Sequence, residues 1–325
     1  MRKILKAAVV IILAAGLLLL FPASLGADEE VSFADANLEA AIRQQLGKPE
    51  GPILASELAG LTSLYAPNTP IASLSGLEYC VNLEVLVLDS DLEIKDLSPL
   101  AGLTRLRQLY LFFNDISDIS PLSGLHNLEV LNLEDNFVKD LSPLSGLSDL
   151  RLLNLMDNHI EDISPLSGLY NLEWLSLTNN LASDITSLAG LTNLEALFLD
   201  GNRISDISPL LANEGISAGD EVRLQLNPLS DESYYEYLPQ LEARGVLGLG
   251  SIAAPEAAGA APAAETEAAT DMPEIQVGSG PKPAGGSSDG GVASYSLWIG
   301  VVAILLVARL FYAGYRRRLE SDEEV

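Results

Sequence analysis

Four aspartates, Asp118, Asp140, Asp162 and Asp206, recur at multiples of 22 residues. A column of carboxylates offers the hard oxygen ligands that calcium takes, and weak calcium binding is one reading of it. The other is that a repeat places an aspartate at the same local turn each time, and this reading is preferred because the period runs through the whole region. The two histidines, His126 and His159, stand 33 residues apart and fall out of phase with that period, so they are expected on the surface without a shared ligand. Cys80 is the only cysteine, which excludes an internal disulfide and a cysteine-based zinc site. Phosphate-loop, nucleophile-elbow and H-E-x-x-H patterns are absent, so neither catalysis nor a cofactor is expected. What remains is the chemistry of recognition. Tyr110, Phe112, Phe113, Met156, Trp174 and Phe198 interleave with the carboxylates Glu134, Asp135 and Asp157. Large apolar groups on a face that no core requires mark interaction sites, and aromatic side chains are common interface anchors.

The elements that must hold these residues follow from one pattern. The stretch Thr104 to Leu125, T-R-L-R-Q-L-Y-L-F-F-N-D-I-S-D-I-S-P-L-S-G-L, is matched without gaps by units beginning at His126, Ser148, Tyr170 and Thr192. Leucine or a close substitute fills the third, sixth, eighth, thirteenth, sixteenth, nineteenth and twenty-second places. Asn114, Asn136, Asn158, Asn180 and Asn202 share the eleventh. This is the leucine-rich repeat signature L-x-x-L-x-L-x-x-N-x-L. Each L-x-x-L-x-L run predicts a short strand, and stacked units bury leucines that no single unit could bury alone. The asparagines predict a ladder of side-chain bonds to backbone. The D-I-S-P-L-S-G-L half predicts tight 3₁₀-type turns on the convex side. About eight parallel strands are expected between Leu61 and Leu226. The fold class is an α/β solenoid, a right-handed superhelix with a parallel concave sheet, a convex side of 3₁₀ turns and loops, and helical lids at both ends. Cys80 falls in a leucine register and is expected to be buried and inert.

Places four, five, seven, nine and ten of each unit are not dictated by the core and should line the concave surface. The fifth places hold Val85, Gln108, Val130, Leu152, Trp174 and Ala196; the seventh hold Tyr65, Val87, Tyr110, Asn132, Asn154, Ser176 and Phe198. Asp89, Phe112, Glu134, Met156, Thr178 and Asp200 take the ninth, and Phe113, Asp135 and Asp157 are among the tenth. The candidate protein-binding set is therefore Tyr110, Phe112, Phe113, Glu134, Asp135, Met156, Asp157, Trp174 and Phe198. The acidic members should steer a basic partner.

The ends carry other signals. Residues 1–27 read as a secretory signal: Arg2, Lys3 and Lys6, then an apolar run, then small Ala27; an uncleaved anchor is the alternative. Residues 28–58 form an N-terminal cap, with a helix over Phe33 to Leu46 burying Leu38, Ile42 and Leu46. The repeats occupy 59–229. Residues 230–250 form a second cap, with Ser230 as N-cap of a helix to about Arg244 and Tyr234, Tyr235, Leu238 and Leu241 covering the last leucines. Residues 251–293, rich in Ala, Pro and Gly, read as a disordered stalk. A transmembrane helix is expected over 294–315, about 31 Å long across its 21 residues from Tyr295 to Tyr315. Arg316, Arg317 and Arg318 hold the tail 316–325 in the cytoplasm. The formal net charge is −27, and the part between the apolar ends carries roughly −30. Such a surface repels nucleic acid and anionic lipid headgroups, so nucleic acid is excluded as a partner.

The N-x-I-x-D-I-S-P-L-S-G-L half-repeat, the opening F-A-D-A-N-L-E-A-A-I-R-Q-Q-L and the closing N-P-L-S-D-E-S-Y-Y-E-Y-L-P-Q-L-E-A-R-G-V resemble the bacterial internalin-type short leucine-rich repeat proteins, over about Val31 to Val246. The resemblance implies the repeat fold and a surface-displayed module; it leaves the ligand open, because such scaffolds diverge on the concave face. No L-P-x-T-G sorting motif precedes the apolar end. The expectation is a monomer, single-pass in the cell membrane with its repeats outside, binding a protein ligand on the concave face. A structural envelope spacer or a component of a membrane complex is the alternative.

Overall fold

The computed structural model describes residues 28–88, 94–250 and 252–255. The chain divides into two units, residues 1–261 and 262–325, and every described residue belongs to the first. The expected signal, most of the stalk and the apolar C-terminal stretch lie outside the described residues. Among the described residues no helix is long and apolar enough to cross a membrane.

The repeats build a leucine-rich repeat α/β solenoid. Its strands are β3 (Ser63–Tyr65), β4 (Val85–Val87), β5 (Gln108–Tyr110), β6 (Val130–Asn132), β7 (Leu152–Asn154), β8 (Trp174–Ser176), β9 (Ala196–Phe198) and β10 (Glu221–Arg223). They form one eight-stranded sheet in sequence order, every pair parallel. Each strand is places five to seven of its unit, so like places stand beside like: Tyr65, Val87, Tyr110, Asn132, Asn154, Ser176, Phe198 and Arg223 make one row. Seven steps of about 4.8 Å give a sheet roughly 34 Å long. In the unit from Thr104, Leu106, Leu109, Leu111, Ile116, Ile119, Leu122 and Leu125 are all buried in one continuous core that runs through every unit. Strand alternation sends place six inward and places five and seven to the opposite, open face, the one expected to be concave.

Two kinds of side-chain bond recur along the units. The eleventh-place asparagines form the expected ladder. The side-chain NH₂ of Asn158 donates to Leu133 O at 2.8 Å in the preceding unit, and to Leu155 O and Met156 O in its own. Its Oδ1 accepts from Val138 N at 2.9 Å. Asn114, Asn136, Asn180 and Asn202 repeat the pattern, and Asn227 continues it in the last unit. The aspartate column is explained locally. Asp118, Asp140, Asp162 and Asp206 each accept the backbone N–H two residues on, at 2.8 Å, and so start the turn that Pro enters next, a 3₁₀ turn after the first three and a short α-helix after Asp206. Asp96 and Asp184 accept in the same way, although the turn after Asp184 has no proline. Among the described residues no group of three or more His, Cys, Asp or Glu is placed to hold a metal.

Ahead of the sheet, β1 (Glu30–Val31) pairs antiparallel with β2 (Ile53–Leu54), on either side of α1 (Ala36–Leu46). Asp35 caps α1 by accepting from Asn37 N and Leu38 N, and it accepts Ala72 N at 2.8 Å as well, tying the helix to the first unit. Burial alone would raise this carboxyl's pKa; the backbone N–H groups outweigh it and hold it below the usual range. Leu38 and Ile42 are buried, Leu46 only partly. The short α2 (Ala55–Leu58) leads into the repeats. Before β10, α3 (Ser208–Ala212) replaces the 3₁₀ turn of earlier units. After it, the helix over Asp231 to Ala243 differs from the sequence expectation. Ser230 does cap it, accepting from Ser233 N at 3.2 Å, but Ser233–Tyr237 is a π-turn, followed by α4 (Leu238–Ala243). Pro239 has no N–H to give to the preceding turn, and a wider turn absorbs that loss. Leu238 and Leu241 are buried as expected and Tyr234 packs against the core, whereas Tyr235 is exposed.

Candidate binding face

The open face divides into three stretches along the sheet. The first lies on β4 to β6 and overturns one expectation. Tyr110 and Phe112, expected to face solvent, are 4% and 7% exposed. Together with Val87 and Val130 they are buried, yet stand apart from the leucine core. The cause is spacing: strands about 4.8 Å apart cannot present bulky side chains separately, so neighbours in register cover one another. Val87, Tyr110 and Asn132 are such neighbours. Phe112 and Phe113 meet edge-on with ring centroids 5.5 Å apart. Tyr65, at the end of the same row, remains 54% exposed. Among the described residues the buried Tyr110 hydroxyl has no hydrogen-bond partner, and burial, with Tyr65 nearby, pushes its pKa up to about 12.

The middle stretch, on β6 and β7, is acidic. Asn132 and Asn154 are buried beneath it: Asn132 Oδ1 accepts Glu134 N at 2.9 Å and Asn154 Oδ1 accepts Met156 N at 3.1 Å. Asn154 also donates to Glu134 Oε2 at 2.8 Å, and Asn179 to Asp157 Oδ1 at 2.8 Å. Burial raises Glu134 to about 7 against the bond from Asn154, and the charges of Asp157 and Asp135 add to the rise. Asp135 is raised by burial and by Asp157, and Asp157 by burial against the Asn179 bond. Among the described residues none of the three has an ion-pair partner, whereas the arginines of the sheet are engaged: Arg107 with Glu129, Arg151 with Glu173 (Nε to Oε1 2.9 Å), and Arg223 with Glu221.

The third stretch is the aromatic end on β8 to β10. Trp174 and Phe198 are partly exposed, with ring centroids 5.3 Å apart, and the Arg223 guanidinium lies 4.9 Å from the Phe198 ring centre. Met156 is partly exposed between the acidic and aromatic stretches. Sequence reasoning missed Arg223 and Glu221, because the last unit is longer and breaks the gapless overlay. Counting back from Leu224 and Asn227, which keep the pattern, would have found them. It also missed that the tenth places are left-handed. Phe113, Asp135, Asp157, Asn179, Gly201 and Leu226 have φ between 52° and 65°. Asp, Asn and Gly tolerate this conformation; Phe113 and Leu226 each hold it at about 1–2 kcal/mol. Of the ninth places, Asp89 lies outside the described residues.

The nine candidate residues thus fall on one face but not in one state. Trp174, Phe198, Met156, Phe113, Glu134, Asp135 and Asp157 are accessible in part, while Tyr110 and Phe112 form a buried floor.

Comparison with known proteins agrees with this architecture. A family model described as leucine rich repeats (2 copies) matches residues 104–146 and 126–168, and one described as leucine rich repeat matches 162–204. Comparison with curated proteins found no match. Among solved structures, the chain is similar to an internalin (inlF) of Listeria monocytogenes, with 37% identity, TM-score 0.58, and coverage of 61% of this chain and 58% of that one. It is also similar to internalin C2 of the same organism, with 35% identity, TM-score 0.60, and coverage of 67% of this chain and 97% of that one. A leucine-rich repeat protein of Leptospira interrogans shares the fold at 24% identity and TM-score 0.52, over 58% of this chain and 49% of that one.

Proposed function

We infer that this chain, which belongs to the internalin-type leucine-rich repeat proteins, binds a protein ligand through the open face of its sheet. The observation that carries the reading is the Trp174–Phe198 pair. These are large rings left partly exposed on strands whose inward leucines already fill the core. Burying them against a partner gains apolar area, and rigid aromatic groups lose little entropy on docking. Repeat scaffolds commonly work as interaction modules, and the internalin neighbours support a binding role. We further propose the setting in which the face is displayed. Residues 1–27 direct export, 28–58 and 230–250 close the ends of the repeats, 251–293 form a stalk, and a helix over 294–315 holds the protein in the membrane with the repeats outside. The internalin kinship supports surface exposure, and the arginines at 316–318 support the orientation.

The test is affinity capture with the full-length chain in mild detergent, followed by titration of the captured ligand against W174A/F198A. The double variant should keep its circular dichroism spectrum and bind at least ten-fold more weakly, since each anchor contributes about 1–3 kcal/mol. Unchanged affinity would place the site elsewhere.

A further inference from the structure

Two features converge at the C-terminal end of the open face. One is a charge ladder that runs out. The fourth places of successive units stack backbone to backbone, each N–H on the carbonyl before it, through Glu84, Arg107, Glu129, Arg151, Glu173 and Glu195. Their charges alternate as far as Glu173, with Arg107 paired to Glu129 and Arg151 to Glu173. Glu195 breaks the alternation. It is exposed and has no cation within ion-pair reach among the described residues. The next rung, Asp220, is a carboxylate again, bonded by Ser217 N at 2.7 Å. The other feature is the ring pair. Trp174 stands in register with Ala196, the residue after Glu195, and its indole meets the Phe198 ring at 5.3 Å while staying partly exposed. Resting on the open-face reading above, we propose that the occupant of this end is an arginine of a partner protein, its guanidinium stacked on the Trp174 indole and paired with Glu195.

The last unit already contains this arrangement. The Arg223 guanidinium lies 4.9 Å from the Phe198 ring centre, its Nε donates to Glu221 Oε1 at 2.7 Å, and Arg223 stands in register with Phe198. Ring, guanidinium and carboxylate meet there within one chain. At Trp174 the ring and the carboxylate are present and the cation is missing. Glu195 and Trp174 lie on adjacent units one place apart, so their Cα atoms are about 6 Å from each other by strand spacing and rise. A glutamate side chain and a guanidinium bridge that separation. The sheet-row arginines on either side are already committed, Arg151 to Glu173 and Arg223 to Glu221.

Charge and shape together select arginine. The chain carries a formal net charge of −27, so an acidic segment or a nucleic acid is repelled before contact. A guanidinium is planar and more weakly hydrated than an ammonium. It can lie flat on an indole while its edge N–H groups meet a carboxylate, whereas lysine brings the charge without the plane. An apolar side chain would cover the indole and leave Glu195 without a counter-charge.

The experiment titrates the full-length chain in mild detergent with fluorescein-labelled hexa-arginine and hexa-lysine, which carry equal charge, at constant pH and salt. Hexa-arginine should bind at least five-fold more tightly than hexa-lysine, and W174A should erase that preference. E195R supplies the missing cation from within the chain, in a row where Arg107 and Arg151 already stand, so it should keep the fold and weaken hexa-arginine at least ten-fold. E161R makes the same change of charge at an exposed residue outside the strands and should weaken it no more than two-fold. Circular dichroism confirms that each variant is folded. Equal binding of the two peptides, or a preference retained in W174A, overturns the stacking. Equal losses in E195R and E161R reduce the binding to general charge and overturn the seat. If these arms fail while W174A/F198A still loses its captured ligand, the arginine seat falls and the open-face reading stands. If W174A/F198A binds that ligand normally, the open-face reading itself falls.

Discussion

Replacing Asn158 with alanine tests the ladder that spaces the repeats. The side chain is buried at the middle of the array and makes four bonds, so its loss is not repaired by water. Three of its partners keep another bond: Leu133 O from Asn136, Leu155 O from Asn180, and Met156 O from Asp135 N. Val138 N–H keeps none among the described residues. One orphaned buried donor costs about 1–3 kcal/mol, and three weakened acceptors add a fraction each, for a total of about 2–5 kcal/mol. For an array of this size each kcal/mol moves the midpoint by about 2–4 °C, so thermal unfolding followed by circular dichroism should shift down by roughly 5–15 °C. The control is N171A. Asn171 is exposed and donates once, to Ser148 O at 2.9 Å, where water can substitute; its loss should cost under about 1 kcal/mol. Equal shifts for the two variants would refute the reasoning, since the ladder would then owe nothing to burial.

Other outcomes follow from the same structure. Cys80 is fully buried, and burial with Glu78 nearby pushes its thiol up to about 12; a maleimide should label it only after denaturation, and rapid native labelling would contradict the burial. Glu134 has its pKa raised in the folded state from 4.5 to about 7, so its contribution to stability is present below about 4.5 and lost as pH rises through 7. E134Q should accordingly be more stable than wild type by about 1–3 kcal/mol at pH 8 and equal to it near pH 4; a variant less stable at pH 8 would reverse the sign. Protease added to intact cells should digest the repeats and spare a short tail after residue 315; protected repeats would invert the proposed topology.

What the sequence made legible, and what it did not, divides by the range of the interactions involved. The strands, the core leucines and the asparagine ladder could be read because each unit repeats the same local solution, and stacking leaves register no freedom. The exposure of Tyr110 and Phe112 could not, because it depends on what adjacent units place in the same row, and those places vary. The aspartate column was legible as geometry, and the bonds from Ser120, Ser142, Ser164 and Ser208 N–H show what the geometry is for. Pro239 was present in the sequence as a warning against a regular helix, and the π-turn before it is the response. The left-handed tenth place was marked by Asp135, Asp157, Asn179 and Gly201, but Phe113 and Leu226 hide the rule by breaking it. Leu226, 84% exposed in that conformation, is the clearest case of a residue that neither propensity nor core packing would choose.

The most direct test of the open-face account is site-specific photo-cross-linking on intact cells. A benzophenone amino acid is placed in the full-length protein at Trp174 on the open face, or at Ser123 in a 3₁₀ turn on the opposite side. The account expects one discrete adduct from position 174 and none from position 123, with the adduct competed by unlabelled ligand. An adduct from position 123 alone, or equal adducts from both, would contradict it.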